Sequence, residues 1–157
     1  MKLEEFKGKS VVVTGAGAGM GKAITQGFLE NGATVIGVDI KEEALSAFKE
    51  ELKKSDVETA ERFIPLTGDI SKEATNEAMI QKALDVTGKI DILVNNAGVA
   101  GHSEPVTETT NEDWDRILRV NLDGPMYAIR AAVRQMLRQE NGGSIVTIAS
   151  VAGIKGC

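Results

Sequence analysis

The run Thr14-Gly15-Ala16-Gly17-Ala18-Gly19-Met20-Gly21 places four glycines within seven residues, directly after the apolar stretch Val11-Val12-Val13. Glycines at this density let a backbone approach a ligand where a Cβ would clash. The turn opens into a helical pattern, and a helix N-terminus offers free N–H groups and partial positive charge suited to a phosphate. Spacing then separates the candidate chemistries. A phosphoryl-transfer loop of the type Gly-x-x-x-x-Gly-Lys-Ser/Thr would end at Gly21-Lys22, but Ala16 stands at its first glycine and Ala23 at its magnesium-binding hydroxyl. Phosphoryl transfer is therefore not expected. The pattern Gly-x-Gly-x-x-Gly fails in every register, because Met20, Lys22 or Ile24 occupies the last place. What stands is Gly15-x-x-x-Gly19-x-Gly21. A methyltransferase turn, Gly-x-Gly-x-Gly over Gly15, Gly17 and Gly19, stays open beside it.

Two carboxylates lie where a sugar and a base would follow such a phosphate. Asp39 ends an apolar segment about twenty residues past the glycines, where an acid accepts hydrogen bonds from a ribose diol. A carboxylate there repels a 2′-phosphate, which favours NAD over NADP. Its structural alternative is to cap the helix that begins near Lys41. Asp69, in Thr67-Gly68-Asp69-Ile70, could reach an adenine, or serve as a turn aspartate beside Ser71. Further on, Asn95-Asn96-Ala97-Gly98 brings two amides that can bond neighbouring strand backbones, and two small residues that leave room for a ribose.

Thr14-Gly15-x-x-x-Gly19-x-Gly21 together with Asn95-Asn96-Ala97-Gly98 resembles the short-chain dehydrogenase/reductase family. Asn121, in Val120-Asn121-Leu122-Asp123-Gly124, and Ser150 occupy two further motif positions of that family, in the right order along the whole chain. The methyltransferase alternative explains neither Asn95-Asn96-Ala97-Gly98 nor Ser150. The resemblance implies hydride transfer between NAD(H) and a small-molecule alcohol or ketone. In that chemistry a tyrosine acts as general acid/base, a lysine lowers its pKa, a serine holds the substrate oxygen and an asparagine supports a water relay. Ser150 matches the serine and Asn121 the asparagine. The cofactor contacts expected are Gly15, Gly17, Gly19, Met20 and Gly21 of the turn, with Asp39, Asp69, Ile70, Asn95, Ala97 and Gly98. Pro125, four residues past Asn121, has no N–H, so the Asn121 carbonyl loses its helical partner; a kinked helix with a carbonyl free to hold water is expected there.

The family's Tyr-x-x-x-Lys does not occur in the sequence. Tyr127 is the only tyrosine and is followed four residues later by Ala131, so it is expected to pack rather than react, and Lys155 has no tyrosine at the matching distance. His102 is expected to be a loop residue. The chain thus reads as the first part of the family fold, truncated after its fifth strand, and is expected to show little or no turnover alone. A catalytically silent dinucleotide-binding or interaction protein is the alternative.

Elements able to position these residues alternate regularly. Strands are expected at Val11–Val13, Ala33–Asp39, Phe63–Leu66, Ile90–Val94 and Ser144–Ala149. Helices are expected at Gly21–Glu30, ended by Gly32; at Lys41–Lys54, with Ala44, Leu45 and Phe48 inward; after a Ser71 cap, with Ala74, Ala78 and Leu84 inward; and from about Asn111 to Gln139. The alternation implies one α/β domain over residues 1–157: a Rossmann-like, doubly wound parallel sheet with helices on both faces. Its ligands would lie at the carboxyl ends of the strands. The fifth strand would form an exposed edge, and Met126, Ile129, Val133, Met136 and Leu137 would lack cover. The resemblance places a dimer interface on that helix, so a homo-oligomer is expected.

Composition excludes several classes. A net charge of −5 and a pI near 5.0, with 4% aromatic residues, leave no basic or stacking surface for nucleic acid. No apolar run reaches the roughly 20 residues of a membrane span. The start lacks the apolar core of a signal peptide. The single cysteine, Cys157, excludes an internal disulfide and fits a reducing cytoplasm. One histidine and one cysteine give no basis for a His/Cys metal site.

Overall fold

The computed structural model describes residues 4–101 and 105–154. Five parallel strands, β1 (Ser10–Thr14), β2 (Thr34–Asp39), β3 (Phe63–Thr67), β4 (Ile92–Asn95) and β5 (Ser144–Thr147), form one sheet in the order β3-β2-β1-β4-β5. Helices α1 (Gly19–Glu30), α2 (Glu42–Ser55), α3 (Val57–Glu61), α4 (Glu73–Thr87), α5 (Asn111–Leu118) and α6 (Gly124–Met136) fill the connections. Val12 is the centre of the register, opposite Ile36 on β2 and Leu93 on β4. Strand order reverses between β1 and β4, and a doubly wound sheet opens its ligand crevice at such a point.

Side chains alternate across β1, so it feeds two cores. Val11 and Val13 pack with Leu29, Leu45, Phe48 and Phe63 on the α1–α2 face. Val12 packs with Ile36, Met79, Leu93, Ala128 and Met136 on the α4–α6 face. Both faces of β1 are therefore dry, which is why its sequence is a continuous valine run and not an alternating one.

The departures from expectation are local. Helix α1 starts two residues earlier than its apolar pattern suggests, because the glycine turn runs directly into it. Asp56 caps an additional short helix, α3, by accepting the Glu58 and Thr59 N–H groups. Ser71 does not cap α4; its own N–H donates to Asp69 Oδ1 at 2.9 Å, and Lys72 is the capping position, without a side-chain bond. The inward face of α4 carries Asn76, Met79, Ile80 and Ala83, whereas Ala74 and Ala78 face solvent. Alanine helps a helix on either face, and the larger Met79 and Ile80 decide which side is buried. The long helix of 111–139 is split into α5 and α6 by a π-helical segment, Arg119–Asp123. No helix among the described residues is long and apolar enough to cross a membrane.

Candidate functional site

Each glycine of the turn answers a separate steric demand. Gly15 and Gly19 have φ of +68° and +52°, a region that side chains with a Cβ avoid. A Cβ on Gly21 would stand 2.0 Å from the Gly15 carbonyl oxygen and 2.5 Å from Asn96 Nδ2, so the start of α1 can reach the β1 end only as glycine. A Cβ on Gly17 would lie 2.8 Å from Ala44 Cβ and 3.0 Å from Asp39 Oδ2. The turn is thus drawn onto β2 and β4 as well as onto α1. Ala18 is the capping position of α1 and contributes no side-chain bond, and the first turn holds no acid. The first N–H groups of α1 are left without a side-chain partner or a competing negative charge, the arrangement that receives an anion.

Asp39 closes one end. Its Oδ2 accepts the Gly17 N–H at 3.0 Å and its Oδ1 accepts the Lys41 N–H at 3.0 Å. The carboxylate therefore fixes the turn to β2 and also orders the entry to α2, so the helix-capping alternative describes part of its work. A carboxylate has about four acceptor positions, which leaves capacity for a diol.

Opposite Asp39, β1 and β4 are cross-tied at their ends. Thr14 Oγ1 accepts the N–H groups of Asn96 and Ala97, each at 3.1 Å, while Asn96 Nδ2 donates to the Thr14 carbonyl at 3.0 Å. The Asn96 Oδ1 is buried without a partner among the described residues. Asn95 points the other way, its Nδ2 donating to Thr147 Oγ1 on β5 at 3.4 Å.

These elements enclose a cavity of about 420 Å³ at the carboxyl ends of β1, β2 and β4. Of the expected contacts, Gly15, Gly19, Met20, Asp39, Asp69, Ile70, Ala97 and Gly98 line it. Gly17, Gly21 and Asn95 do not; the two glycines act from behind the wall, and Asn96 takes the place expected of Asn95. Adjacent strand residues face opposite sides, so a choice between two consecutive asparagines turns on one residue of register. Lys41 and Val120 also contribute to the lining. The residues fit a dinucleotide: glycines where a Cβ would fill the cradle, an open helix N-terminus, and a carboxylate at sugar distance in sequence and across the cavity in space.

Asn121 sits in the π-helical segment and bonds Val99 at both ends of its amide. Oδ1 accepts the Val99 N–H and Nδ2 donates to the Val99 carbonyl, both at 2.8 Å. A Cβ on Gly98 would come within 3.3 Å of Asn121 Oδ1, so the small residues after β4 let the amide approach. Pro125 interrupts α-type bonding, and the Gly124 N–H bonds to Arg119 at five-residue spacing. The expected kink thus takes the form of a π bulge. Ser150 follows β5, is exposed, and accepts the Ala152 N–H on Oγ at 3.2 Å. It lies outside the 420 Å³ cavity, on the neighbouring strand end. Tyr127 is on α6 with the Arg130 guanidinium 5.3 Å from its ring centre, a packing arrangement. His102, Lys155 and Cys157 lie outside the described residues.

A larger cleft, about 560 Å³, lies at the opposite end of α1. Its polar groups are engaged with one another or with neighbours, as Gln26 with Glu30 and Glu51 with Lys22, and it brings no glycine turn or strand end together.

Residues 9–157 match the sequence profile described as short chain dehydrogenase. The chain is 38% identical over 147 residues to 3beta-hydroxysteroid dehydrogenase 2 of Eggerthella lenta, covering 94% of this chain and 55% of that protein. A short chain dehydrogenase from Mycobacterium smegmatis superposes with a TM-score of 0.90 at 36% identity, over 99% of this chain and 64% of that one. A short chain dehydrogenase/reductase from Burkholderia phymatum, solved in complex with NAD, gives a TM-score of 0.89 at 34% identity, over 98% and 53%. The chain spans 53–64% of the length of these relatives.

Proposed function

The chain belongs to the short-chain dehydrogenase family, and from that membership we propose that it forms the cofactor-holding part of an NAD-dependent oxidoreductase acting on a small alcohol or ketone in the cytoplasm. A bound nicotinamide supplies hydride exchange with a carbonyl or carbinol carbon. The chain's own residues do the rest. The open N-terminus of α1 holds the pyrophosphate, Asp39 accepts from the adenosine ribose, and Asp69-Ile70 flank the adenine. Ala97 and Gly98 make room for the second ribose. Ser150 donates its hydroxyl to the substrate oxygen as charge develops there, and Asn121, held by Val99, supports a proton-relaying water.

The observation that carries this reading is the Asp39 carboxylate, which lines the cavity and accepts the Gly17 N–H of the turn. It ties the acid to the glycine turn, and a negative charge there supports a cofactor without a 2′-phosphate. Lys41 also lines this corner, so the preference for NAD rests on the carboxylate. Fluorescence titration with NADH and NADPH tests it. NADH is expected to bind at least tenfold more tightly, a difference of about 1.4 kcal/mol; tighter NADPH binding overturns the assignment.

Residues 1–157 contain no Tyr-x-x-x-Lys, the pair on which proton transfer in this family depends. The polypeptide 1–157 is therefore proposed to bind cofactor with little or no turnover. Steady NADH production from alcohols by mass-verified 1–157 protein would overturn that statement.

A further inference from the structure

The buried face of α4 is apolar at Met79, Ile80 and Ala83, yet the same face carries Asn76, which has no solvent exposure. A buried amide is costly unless its hydrogen-bonding groups are used. Asn76 Nδ2 spends both hydrogens on one turn, donating to the Ile70 carbonyl at 2.7 Å and to the Lys72 carbonyl at 2.9 Å. Its Oδ1 has no partner among the described residues. Here only the donor end is engaged, and it is aimed at the segment that lines the cofactor cavity.

That segment is confined on every side. The Asp69 carbonyl accepts the Lys72 N–H at 3.0 Å, and Asp69 Oδ1 accepts the Ser71 N–H at 2.9 Å. From the other side α6 closes in at Gly124, where a Cβ would meet Ile70 Cδ1 at 2.8 Å and the Ile70 carbonyl oxygen at 3.1 Å. The Ile70 carbonyl therefore sits between the Asn76 amide and the Gly124 backbone, one residue beyond the π segment that bears Asn121.

We propose that Asn76 is a positioning residue for the adenosine end of the cofactor site, acting from the core through the Ile70 carbonyl to fix the Asp69–Ile70 turn. The proposal rests on the dinucleotide reading above. Asn76→Val removes the donor, and the freed carbonyl must turn to find another, carrying Asp69 and Ile70 with it. Gly124→Ala presses on the same turn from α6 and serves as an independent handle should Asn76→Val fail to melt cooperatively.

The test titrates the 1–157 protein and both variants with NADH and with 5′-AMP, which reaches only the adenosine end, alongside thermal melting. Both ligands are expected to weaken by the same factor in each folded variant, about tenfold. A lowered melting temperature with unchanged affinity for both ligands makes Asn76 merely structural and overturns the proposal, as does a loss confined to NADH. Failure of the unaltered protein to bind either ligand overturns the dinucleotide reading itself, and this proposal with it.

Discussion

At the scale of single residues, the site is built from constraints that are local in sequence, and those were legible. Gly15, Gly19 and Gly21 could be read because their spacing encodes backbone shape, and Asp39 because strand length fixes its distance from the turn. Gly21→Ala is the sharpest test of that turn. Its Cβ would enter the Gly15 carbonyl oxygen at 2.0 Å, a backbone contact that cannot rotate away. The variant is expected to lose on the order of 3 kcal/mol of stability and its NADH binding, measured by urea denaturation and titration. Asp39→Ser tests recognition without such strain. With the carboxylate gone and Lys41 still in the lining, NADH binding should weaken about tenfold and NADPH binding should improve, so that the preference measured by parallel titration falls or inverts. Asn96 and Asn76 were not legible in the same way. Which of two adjacent asparagines faces the cavity depends on the pairing of β4 with both neighbours, and the burial of Asn76 depends on α6 lying over α4. An amide interrupting the apolar positions 79, 80 and 83 was the one available signal.

At the scale of elements, alternation of apolar strands and amphipathic helices gave the order of all five strands and the principal helices, because each needs only its own periodicity. Boundaries moved where a neighbour decides them. The π segment at Arg119–Asp123 was foreshadowed by Pro125, but the choice of a bulge over a break follows from α6 having to stay packed through Ala128 and Ala132. Asp91 shows an element-level tie of another kind. It precedes β4, is 8% exposed, and accepts the Ser10 N–H of β1 at 2.8 Å with Lys89 at 2.9 Å and Lys9 at 3.4 Å. Burial pushes its carboxyl up, but the Ser10 N–H, the Lys89 ammonium and Lys9 together outweigh that and hold it below the usual carboxylate range. A group whose folded pKa is lowered adds stability above its unfolded value, and that stability is lost as pH falls through the folded one. Asp91→Asn is therefore expected to cost about 2 kcal/mol near neutrality. The gap to the unaltered protein should close as pH drops below about 4, which denaturant titrations across that range would measure. A constant gap would assign the tie to packing instead of charge.

For the whole molecule, the parallel sheet follows from alternation, whereas the order β3-β2-β1-β4-β5, and with it the crevice between β1 and β4, is seen only in the fold. What the sequence could not separate was a face that is buried from one that awaits a partner. Met136 was grouped with the uncovered residues of α6, yet it is 7% exposed and packs into the α4–α6 core. The remaining four, Met126, Ile129, Val133 and Leu137, are exposed and recur at spacings of three and four, one apolar stripe along the outer side of α6. A stripe of this kind on an amphipathic helix is suited to a matching helix, and β5 adds an edge strand that pairs only with β4 among the described residues. The homo-oligomer expected from the sequence would use the stripe, since it exposes four large apolar side chains against one, Val146, on β5. Ile129→Glu combined with Val133→Glu should then shift the protein to monomer in sedimentation velocity while leaving the buried side of α6, at Ala128 and Ala132, and hence the far-ultraviolet circular dichroism, unchanged. NADH affinity should also be retained, because neither side chain lines the cavity. Persistence of the oligomer in this variant, with its loss on placing a lysine at Val146 of β5, would move the interface to the strand edge. A clean monomer for the unaltered chain at high concentration would remove it altogether.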